Sequence, residues 1–195
     1  MPVAIFCTIV VAFVFIRMSL SYTDRRAERC YATDRTPAAS IRSFRHLSKG
    51  LFVANMVIAI TSYWLDSPLL LQAITVTASM KTSGAILVLL GYIGLSQTFK
   101  NLGEHYSPMF DAFLPKAIVM TGVYRYIRHP VYLFNLFVSF GLAISSGSLL
   151  VLVSALIGFG FILRSIHIEE HYLQASFPEY SVYMQRSWRL VPFFY

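Results

Sequence analysis

The chain has 195 residues, of which 56% are apolar, 15% aromatic and only 13% charged. Soluble domains carry about 25% charged residues, so this composition argues against a soluble enzyme and favours an integral membrane protein. The net charge of +7 does not indicate nucleic-acid binding, because no motif for it accompanies the charge. The excess of basic residues favours contact with anionic lipid headgroups.

Nearly uncharged segments predict an all-α polytopic membrane protein with about five transmembrane helices, since roughly 20 apolar residues cross a bilayer core as a helix. The predicted spans are residues 2–20, 51–65, 69–99, 131–146 and 149–164. The first lacks the basic start and cleavage pattern of a signal peptide, and we expect it to be retained. The third is predicted as one long helix in which Lys81 snorkels or lines a cavity. Two glycine pairs, Gly91 with Gly94 and Gly158 with Gly160, predict close helix packing.

The distribution of basic residues predicts the orientation in the membrane. Residues 21–49 contain seven lysines and arginines, and such loops tend to remain cytoplasmic. This places the N-terminus outside the cell membrane and the C-terminus in the cytoplasm. The turns at 66–68 and 145–148 then lie outside, and neither contains lysine or arginine. Cys7 and Cys30 lie in the first span and in the cytoplasmic loop, so no disulfide is expected.

The chain is predicted to form a single domain without a linker, in which residues 1–99 are a helical scaffold and residues 100–195 carry the polar side chains. The stretch "TGVYRYIRHPVY" at 121–132 leads into the fourth span. Pro130 suits the first turn of a helix, whose free N–H groups can hold an anion. His129 and Tyr132 lie three residues apart and can face one ligand. The alternative is that these arginines and tyrosines only anchor the helix at the membrane boundary.

A second polar cluster follows the fifth span. Helical spacing places Arg164, His167 and His171 on one face, while Glu170 shares a face with His167. The alternative is a charged helix end emerging into water. The order of "HIEEH" differs from a zinc-binding helix and no third ligand is evident, so no metal is expected. The aromatic and basic tail, residues 177–195, predicts either an interfacial helix or a lid over a ligand.

Three parts of the sequence resemble the isoprenylcysteine carboxyl methyltransferase family of integral membrane enzymes. They are "GVYRYIRHPVY", then "EEHYLQASFPEYSVY" after two apolar helices, and a closing R-x-x-P at 189–192, and the likeness covers about residues 115–195. It implies S-adenosylmethionine as methyl donor and S-adenosylhomocysteine as product. The donor would lie at the cytoplasmic ends of the last two helices, beside the C-terminal segment.

The resemblance also implies roles for individual residues. Arg164 would meet the carboxylate of the substrate, and Glu170 would contact polar groups of the donor. The other donor-binding positions fall in two groups: a lining made of Lys116, Ala117, Ile118, Val119 and Tyr124, and a grip on the amino-acid end made of His129, Pro130, Val131 and Tyr132.

This chemistry suits the residues, because a carboxylate with a pKa of about 3.5 is already ionised at neutral pH and needs no general base. Alignment and an arginine would be sufficient. The implied substrate is a prenylated protein C-terminus or a lipid-modified small molecule that arrives through the membrane lipids.

Three other interpretations remain open. A phospholipid (ethanolamine) N-methyltransferase would need a proton acceptor, for which Glu169, Glu170 or His167 could serve. A membrane reductase with a nicotinamide cofactor is a more distant possibility. A non-enzymatic membrane scaffold would use the two polar clusters only to anchor helices.

Overall fold

A computed structural model describes residues 75–105 and 117–195 of the chain. All regular secondary structure within these residues is helical, and they contain no strand. Four α-helices follow one another: α1 (Ala78–Leu102), α2 (Pro130–Ser146), α3 (Leu149–Ser176) and α4 (Tyr180–Arg186). Short 3-10 turns occupy Gly103–His105 and Gly122–Arg125. The first two predicted spans lie outside the described residues, so the prediction of five spans is not tested there.

The third predicted span begins later than the sequence suggested. The prediction of a helix from residue 69 is wrong in the described part, because residues 75–77 are not helical and α1 begins at Ala78. Thr77 adopts an extended conformation, and its side chain accepts a hydrogen bond from the Met80 N–H at 3.3 Å. This N-cap satisfies a donor that the first helical turn leaves free. Lys81 therefore lies close to the start of α1, rather than in the middle of a long helix.

Helices α1 and α2 pack with their backbones in contact. A Cβ atom on Gly84 would lie 2.6 Å from the carbonyl oxygen of Gly141, and one on Gly91 would lie 2.8 Å from that of Phe134. Only glycine allows so close an approach at these positions. The predicted packing at Gly91 is thus confirmed. The packing predicted for Gly158 and Gly160 is wrong within the described residues, where nothing lies within 4 Å of a Cβ at either position.

The apolar surface of the helices is divided between a core and an exposed face. The core joins α1, α2 and the start of α3 through buried Val88, Val138 and Val151. Large apolar side chains remain exposed along α1 and α3, such as Ile86 and Leu156. Both helices are long and apolar enough to cross a membrane, whereas α2 is shorter and also apolar. Outward-facing apolar residues on such helices suit contact with lipid.

The turn between α2 and α3 agrees with the sequence. The predicted fourth span, 131–146, is confirmed within one residue, and Pro130 occupies the first turn of α2. Gly147 ends the helix in the left-handed conformation, with φ 62°, and its N–H donates to the Ala143 carbonyl at 3.0 Å. Helix α3 starts at Leu149, as predicted, but continues past Arg164 to Ser176. The charged cluster is therefore a helical extension of the apolar span.

The tail does not form one interfacial helix, so that expectation is wrong. After the short α4 it runs alongside the segment that precedes α2. The Trp188 N–H donates to the Tyr126 carbonyl at 2.9 Å, the Arg128 N–H to the Trp188 carbonyl at 2.8 Å, and the His129 N–H to the Arg189 carbonyl at 3.0 Å. This short parallel pairing places Ile127 next to Trp188, 61 positions further along the sequence.

Candidate functional site

Three segments converge at the candidate site: the loop that enters α2, the charged extension of α3, and the tail after α4. Glu170 of α3 lies at their centre, with only 4% of its side chain exposed. Its Oε1 accepts a hydrogen bond from Arg128 Nε at 2.8 Å, and its Oε2 accepts one from Arg189 Nε at 2.9 Å. One carboxylate thus joins the loop, the helix and the tail.

Arg128 is the more deeply buried of the two arginines in this cluster, with 6% of its side chain exposed. Besides Glu170, its Nη1 donates to the carbonyl of Met184 at 3.1 Å and to that of Ser187. A planar guanidinium has five N–H donors in a fixed geometry and suits such a multiple contact. Arg128 therefore fixes the end of α4 against α3.

His129 lies between the two adjacent glutamates of α3. Its side chain is 3% exposed, with Nδ1 at 3.5 Å from Glu169 Oε2 and Nε2 at 3.4 Å from Glu170 Oε1. Burial opposes the charged imidazolium, but the carboxylates of Glu169 and Glu170 outweigh burial and raise the pKa of His129 above 6.5. Nε2 makes no hydrogen bond to any described residue. Its nearest charged neighbour is Glu170 Oε1, so this side of the ring makes an ion contact without a well-formed hydrogen bond.

Glu169 differs from its neighbour in exposure and in partners. Its Oε2 accepts a hydrogen bond from the Tyr132 hydroxyl at 2.8 Å, and the rings of His129 and Tyr132 stack with centroids 5.5 Å apart. The side chain is 45% exposed, and its second oxygen, Oε1, accepts no hydrogen bond within the described segments. One glutamate of the pair is therefore enclosed by arginines, whereas the other is accessible.

A tyrosine of α4 holds the neighbouring turn in place. The Tyr183 hydroxyl donates to the Tyr124 carbonyl at 2.5 Å, and the Ser187 hydroxyl donates to the Tyr183 carbonyl at 2.6 Å. Burial raises the pKa of Tyr183 to about 12, so its hydroxyl remains a proton donor at neutral pH. This contact fixes the Gly122–Arg125 turn against the tail.

The structure brings together several of the residues singled out in the sequence. His129, Tyr132 and Glu170 are part of one cluster, and Tyr124 is buried beside it. The remaining residues lie around this centre with different exposure: Pro130 is buried, Ile118, Val119 and Val131 are half-buried, and Ala117 is exposed. Lys116 lies outside the described residues.

Arg164 is not brought into the cluster. It is exposed on α3, as are His167 and His171. Glu170 instead belongs to the buried side of the same helix. Among the described residues no group of histidine, cysteine, aspartate and glutamate side chains could hold a metal ion.

Arg128 and Arg189 were not proposed as site residues from the sequence. For the arginines of residues 121–132, the sequence leaves open the alternative that they only anchor the helix at the membrane boundary. Arg128 lies 42 positions from Glu170 in the sequence, and Arg189 lies 19 positions from it. Because helical spacing relates only residues three or four positions apart, it predicts neither contact. The only sequence signal was the position of both arginines within the motifs at 121–132 and 189–192.

Comparison with known proteins adds one match. The sequence profile of the phospholipid methyltransferase family matches residues 79–180, which is more than half of the 195 residues. The matched region runs from the start of α1 to the start of α4 and includes His129, Glu169 and Glu170. No curated protein sequence matches the chain.

Proposed function

Because the chain belongs to the phospholipid methyltransferase family, we propose that it transfers a methyl group from S-adenosylmethionine to a lipid-borne acceptor at the cytoplasmic face of the cell membrane. The family is a group of membrane methyltransferases, and its members normally use this donor. The two long apolar helices α1 and α3 agree with a membrane protein. Residues 1–99 would serve as scaffold and residues 100–195 would bind donor and acceptor.

The charge pattern around Glu170 is the observation that supports donor binding most strongly. S-adenosylmethionine carries an ammonium, a carboxylate and a sulfonium group, so its site needs groups of both signs. The cluster offers cationic Arg128, Arg189 and His129 beside two glutamates. The buried Nε2 of His129 makes no hydrogen bond within the described region and lies 3.4 Å from Glu170 Oε1. These residues fit the donor, which supplies an electrophilic methyl group when bound.

We assign the parts of the donor to the residues implied by the sequence motifs. His129, Pro130, Val131 and Tyr132 would hold the amino-acid end of the donor at the start of α2. Glu170, whose two oxygens are bound to arginines, would shape this end of the donor site by holding Arg128 and Arg189 in place. The lining of the rest of the donor would come from Lys116, Ala117, Ile118, Val119 and Tyr124.

A primary-amine phospholipid is the acceptor that the cluster favours. An amine must lose a proton before it attacks a methyl group, and Glu169 offers an accessible carboxylate oxygen. The arginines of the cluster are both bound to Glu170, so neither is available to align a carboxylate acceptor while these contacts persist. The family match agrees with this class of acceptor.

The carboxylate of an isoprenylated cysteine is the second candidate acceptor. Arg164 supports it, because this arginine is exposed on α3 directly after the apolar part of the helix. A guanidinium there could align a carboxylate that enters from the bilayer. This reaction needs no proton acceptor, since the carboxylate is ionised at neutral pH.

Methyl transfer from isotope-labelled donor separates these possibilities. Purified protein would be supplied with phosphatidylethanolamine in phosphatidylcholine vesicles, and in parallel with a farnesylated cysteine analogue. We expect label in the amine lipid. Label only in the farnesylated cysteine would instead establish the carboxylate as acceptor, and Arg164→Ala should then reduce transfer. Absence of label in both acceptors would contradict the proposed activity.

A further inference from the structure

Two adjacent phenylalanines in the tail are almost fully exposed. Phe193 is 83% exposed and Phe194 is 88% exposed, the highest values among the large apolar side chains of the described residues. Phe193 also adopts φ 69°, a left-handed conformation that is uncommon for residues other than glycine. A backbone that holds two apolar rings outward in a sparsely populated conformation indicates that the rings have a partner.

The segment that carries these rings, residues 190–195 or the tail loop, closes on itself through its backbone. Four of its N–H groups donate to carbonyl oxygens within the loop at 2.8 to 3.2 Å: those of Leu190 and Val191 to Tyr195, and those of Phe194 and Tyr195 to Val191. Pro192 has no N–H, so only the Phe193 N–H of this loop lacks a hydrogen bond to the described residues. Such a loop can enter the lipid boundary, where an unsatisfied backbone group is costly.

Apolar packing places the tail loop beside the first two turns of α2. Leu190 is buried in a cluster with Leu133, and Tyr195 packs against the same cluster, as does Phe137. Phe137 lies seven residues after Pro130, the first residue of α2, which corresponds to about 10 Å along a helix. Apolar side chains of interfacial segments reach about 5–10 Å into the boundary between headgroups and acyl chains. The tail loop therefore lies at the depth at which an apolar helix enters a bilayer.

Exposed arginines and aromatic rings lie beside the tail loop. The Trp188 ring is 5.6 Å from that of Phe193, and the Trp188 N–H donates to the Tyr126 carbonyl at 2.9 Å. Tyr126 is exposed, and the exposed Arg125 guanidinium lies 5.8 Å from the centre of its ring. Arg186, two residues before Trp188, is also exposed. Aromatic rings next to cationic side chains suit the headgroup level of a membrane with anionic lipids.

We propose that the tail loop is a membrane anchor: Phe193 and Phe194 insert among the lipid chains beside the candidate site, while Arg125 and Arg186 bind the headgroups of anionic lipids. The partner is the bilayer itself, because the exposed rings are apolar, the flanking charges are positive, and the loop packs on an apolar helix. This binding surface is separate from the donor cluster and does not depend on methyl transfer.

The anchor would also set the height of the candidate site relative to the bilayer. Arg189 directly precedes the tail loop, donates from Nε to Glu170 Oε2 at 2.9 Å, and lies with its guanidinium 5.1 Å from the centre of the Tyr195 ring. The loop and the cluster are therefore joined by one arginine. A loop that is fixed in the lipid boundary keeps this cluster at the headgroup level, where a lipid-borne group arrives.

Tryptophan fluorescence of the reconstituted full-length protein tests the anchor. The sequence contains two tryptophans, Trp64 and Trp188, and replacing both by phenylalanine removes the background. Phe194→Trp then places a single reporter on the tail loop. Glu179→Trp, at an exposed position before α4, is the matched control. Emission would be quenched from the lipid side by phosphatidylcholine brominated on its acyl chains, and from the water side by acrylamide.

We expect brominated chains to quench the Phe194→Trp reporter at least about threefold more strongly than the Glu179→Trp control, since bromine quenches only rings that lie within the acyl region. Acrylamide should show the opposite order. Circular dichroism of both variants should match the wild type, which shows that the reporters do not disturb the fold.

The two arginines are tested with the same reporter. Brominated phosphatidylglycerol, at the same fraction of total lipid, should quench Phe194→Trp about twofold more than brominated phosphatidylcholine, because cations enrich anionic lipid around them. Replacing Arg125 and Arg186 by glutamine should remove this difference, and high salt should reduce it.

Three results would overturn the proposal. Quenching of Phe194→Trp by acrylamide to the same extent as the control would place the loop in water. Protection from both quenchers would show that protein covers the rings, either a second copy or another part of this chain. Equal quenching by the two brominated lipids would refute the binding of anionic headgroups. These measurements need no donor, so a failure of the proposed methyl transfer leaves their outcome unchanged.

Discussion

Replacing Glu170 by glutamine should destabilise the protein strongly, because this carboxylate is the only group that neutralises buried Arg128 in the described region. The amide keeps the shape of the side chain but removes the charge that both arginines share. Breaking a buried ion pair by removing one partner costs about 3–5 kcal/mol. Arg128 retains its contacts with the Met184 and Ser187 carbonyls, so we expect a loss near the lower end, about 3 kcal/mol.

The contribution of Arg189 to this loss should be small. Its side chain is 28% exposed, so the freed guanidinium can reach water, and exposed pairs contribute about 0–1 kcal/mol. Arg189 also donates from Nη1 to the Tyr195 hydroxyl at 3.3 Å and lies over the Tyr195 ring, so it keeps a partner. Arg128→Met should therefore destabilise the protein more than Arg189→Met.

The assay is reversible unfolding of purified protein in mixed detergent micelles, followed by circular dichroism. The change in the free energy of unfolding is compared for Glu170→Gln and for Glu179→Gln, whose side chain is exposed and should change it by less than about 0.5 kcal/mol. A loss below about 1 kcal/mol for Glu170→Gln would refute the reasoning. An equal effect of the two arginine substitutions would also contradict it.

Three further predictions concern pH, packing and the tail. The pKa of His129 is raised in the folded protein, so its ion contacts stabilise the fold fully below pH 6.5. This contribution is lost as the pH rises through the folded pKa. The free energy of unfolding should therefore be lower at about pH 9 than at about pH 6, and His129→Gln should reduce this difference. Gly84→Leu should abolish the monodisperse peak in size-exclusion chromatography, because the backbone of α2 lies 2.6 Å from the position of its Cβ. Gly158→Leu should leave the peak unchanged, because no described residue lies within 4 Å of a Cβ there. Tyr183→Phe should lower the free energy of unfolding by about 1–3 kcal/mol, because the buried carbonyl of Tyr124 loses its donor; an unchanged value would show that the hydrogen bond contributes little.

The parts of the fold that were predictable are those with local causes. Pro130 fixes the start of α2, and the serine and glycine turn before Leu149 separates two apolar helices. The start of α1 was not predicted, because apolar residues continue before it and the capping hydrogen bond from Met80 to Thr77 is visible only in the structure. Hydropathy alone therefore located helix α1 but not the residue at which it begins.

Glycine packing shows the same limit at the level of contacts. Gly91 and Gly158 both lie in apolar helices beside a second glycine, yet the first touches α2 and the second has no described residue within 4 Å of its Cβ position. The difference depends on which side of each helix meets a neighbour. That information is absent from the spacing of residues along one helix.

The candidate site was partly predictable for a comparable reason. His129, Tyr132 and Glu170 belong to short motifs that suggested polar chemistry, and the structure places them together. Arg128 and Arg189 become part of the cluster only through pairing of the tail with the loop before α2. Arg164, for which the resemblance implies a contact with the substrate carboxylate, is exposed on α3.

Binding of S-adenosylmethionine to detergent-purified protein is the most direct test of the proposed donor site. Calorimetry should show saturable binding to the wild type. His129→Ala should weaken it about tenfold or more, since a charge-assisted hydrogen bond contributes about 1.5–3 kcal/mol, while the circular dichroism spectrum stays unchanged. His167→Ala, which alters an exposed histidine of the same charged region, should bind like the wild type. No saturable binding to the wild type, or an unchanged Kd in His129→Ala, would contradict a donor site at this cluster.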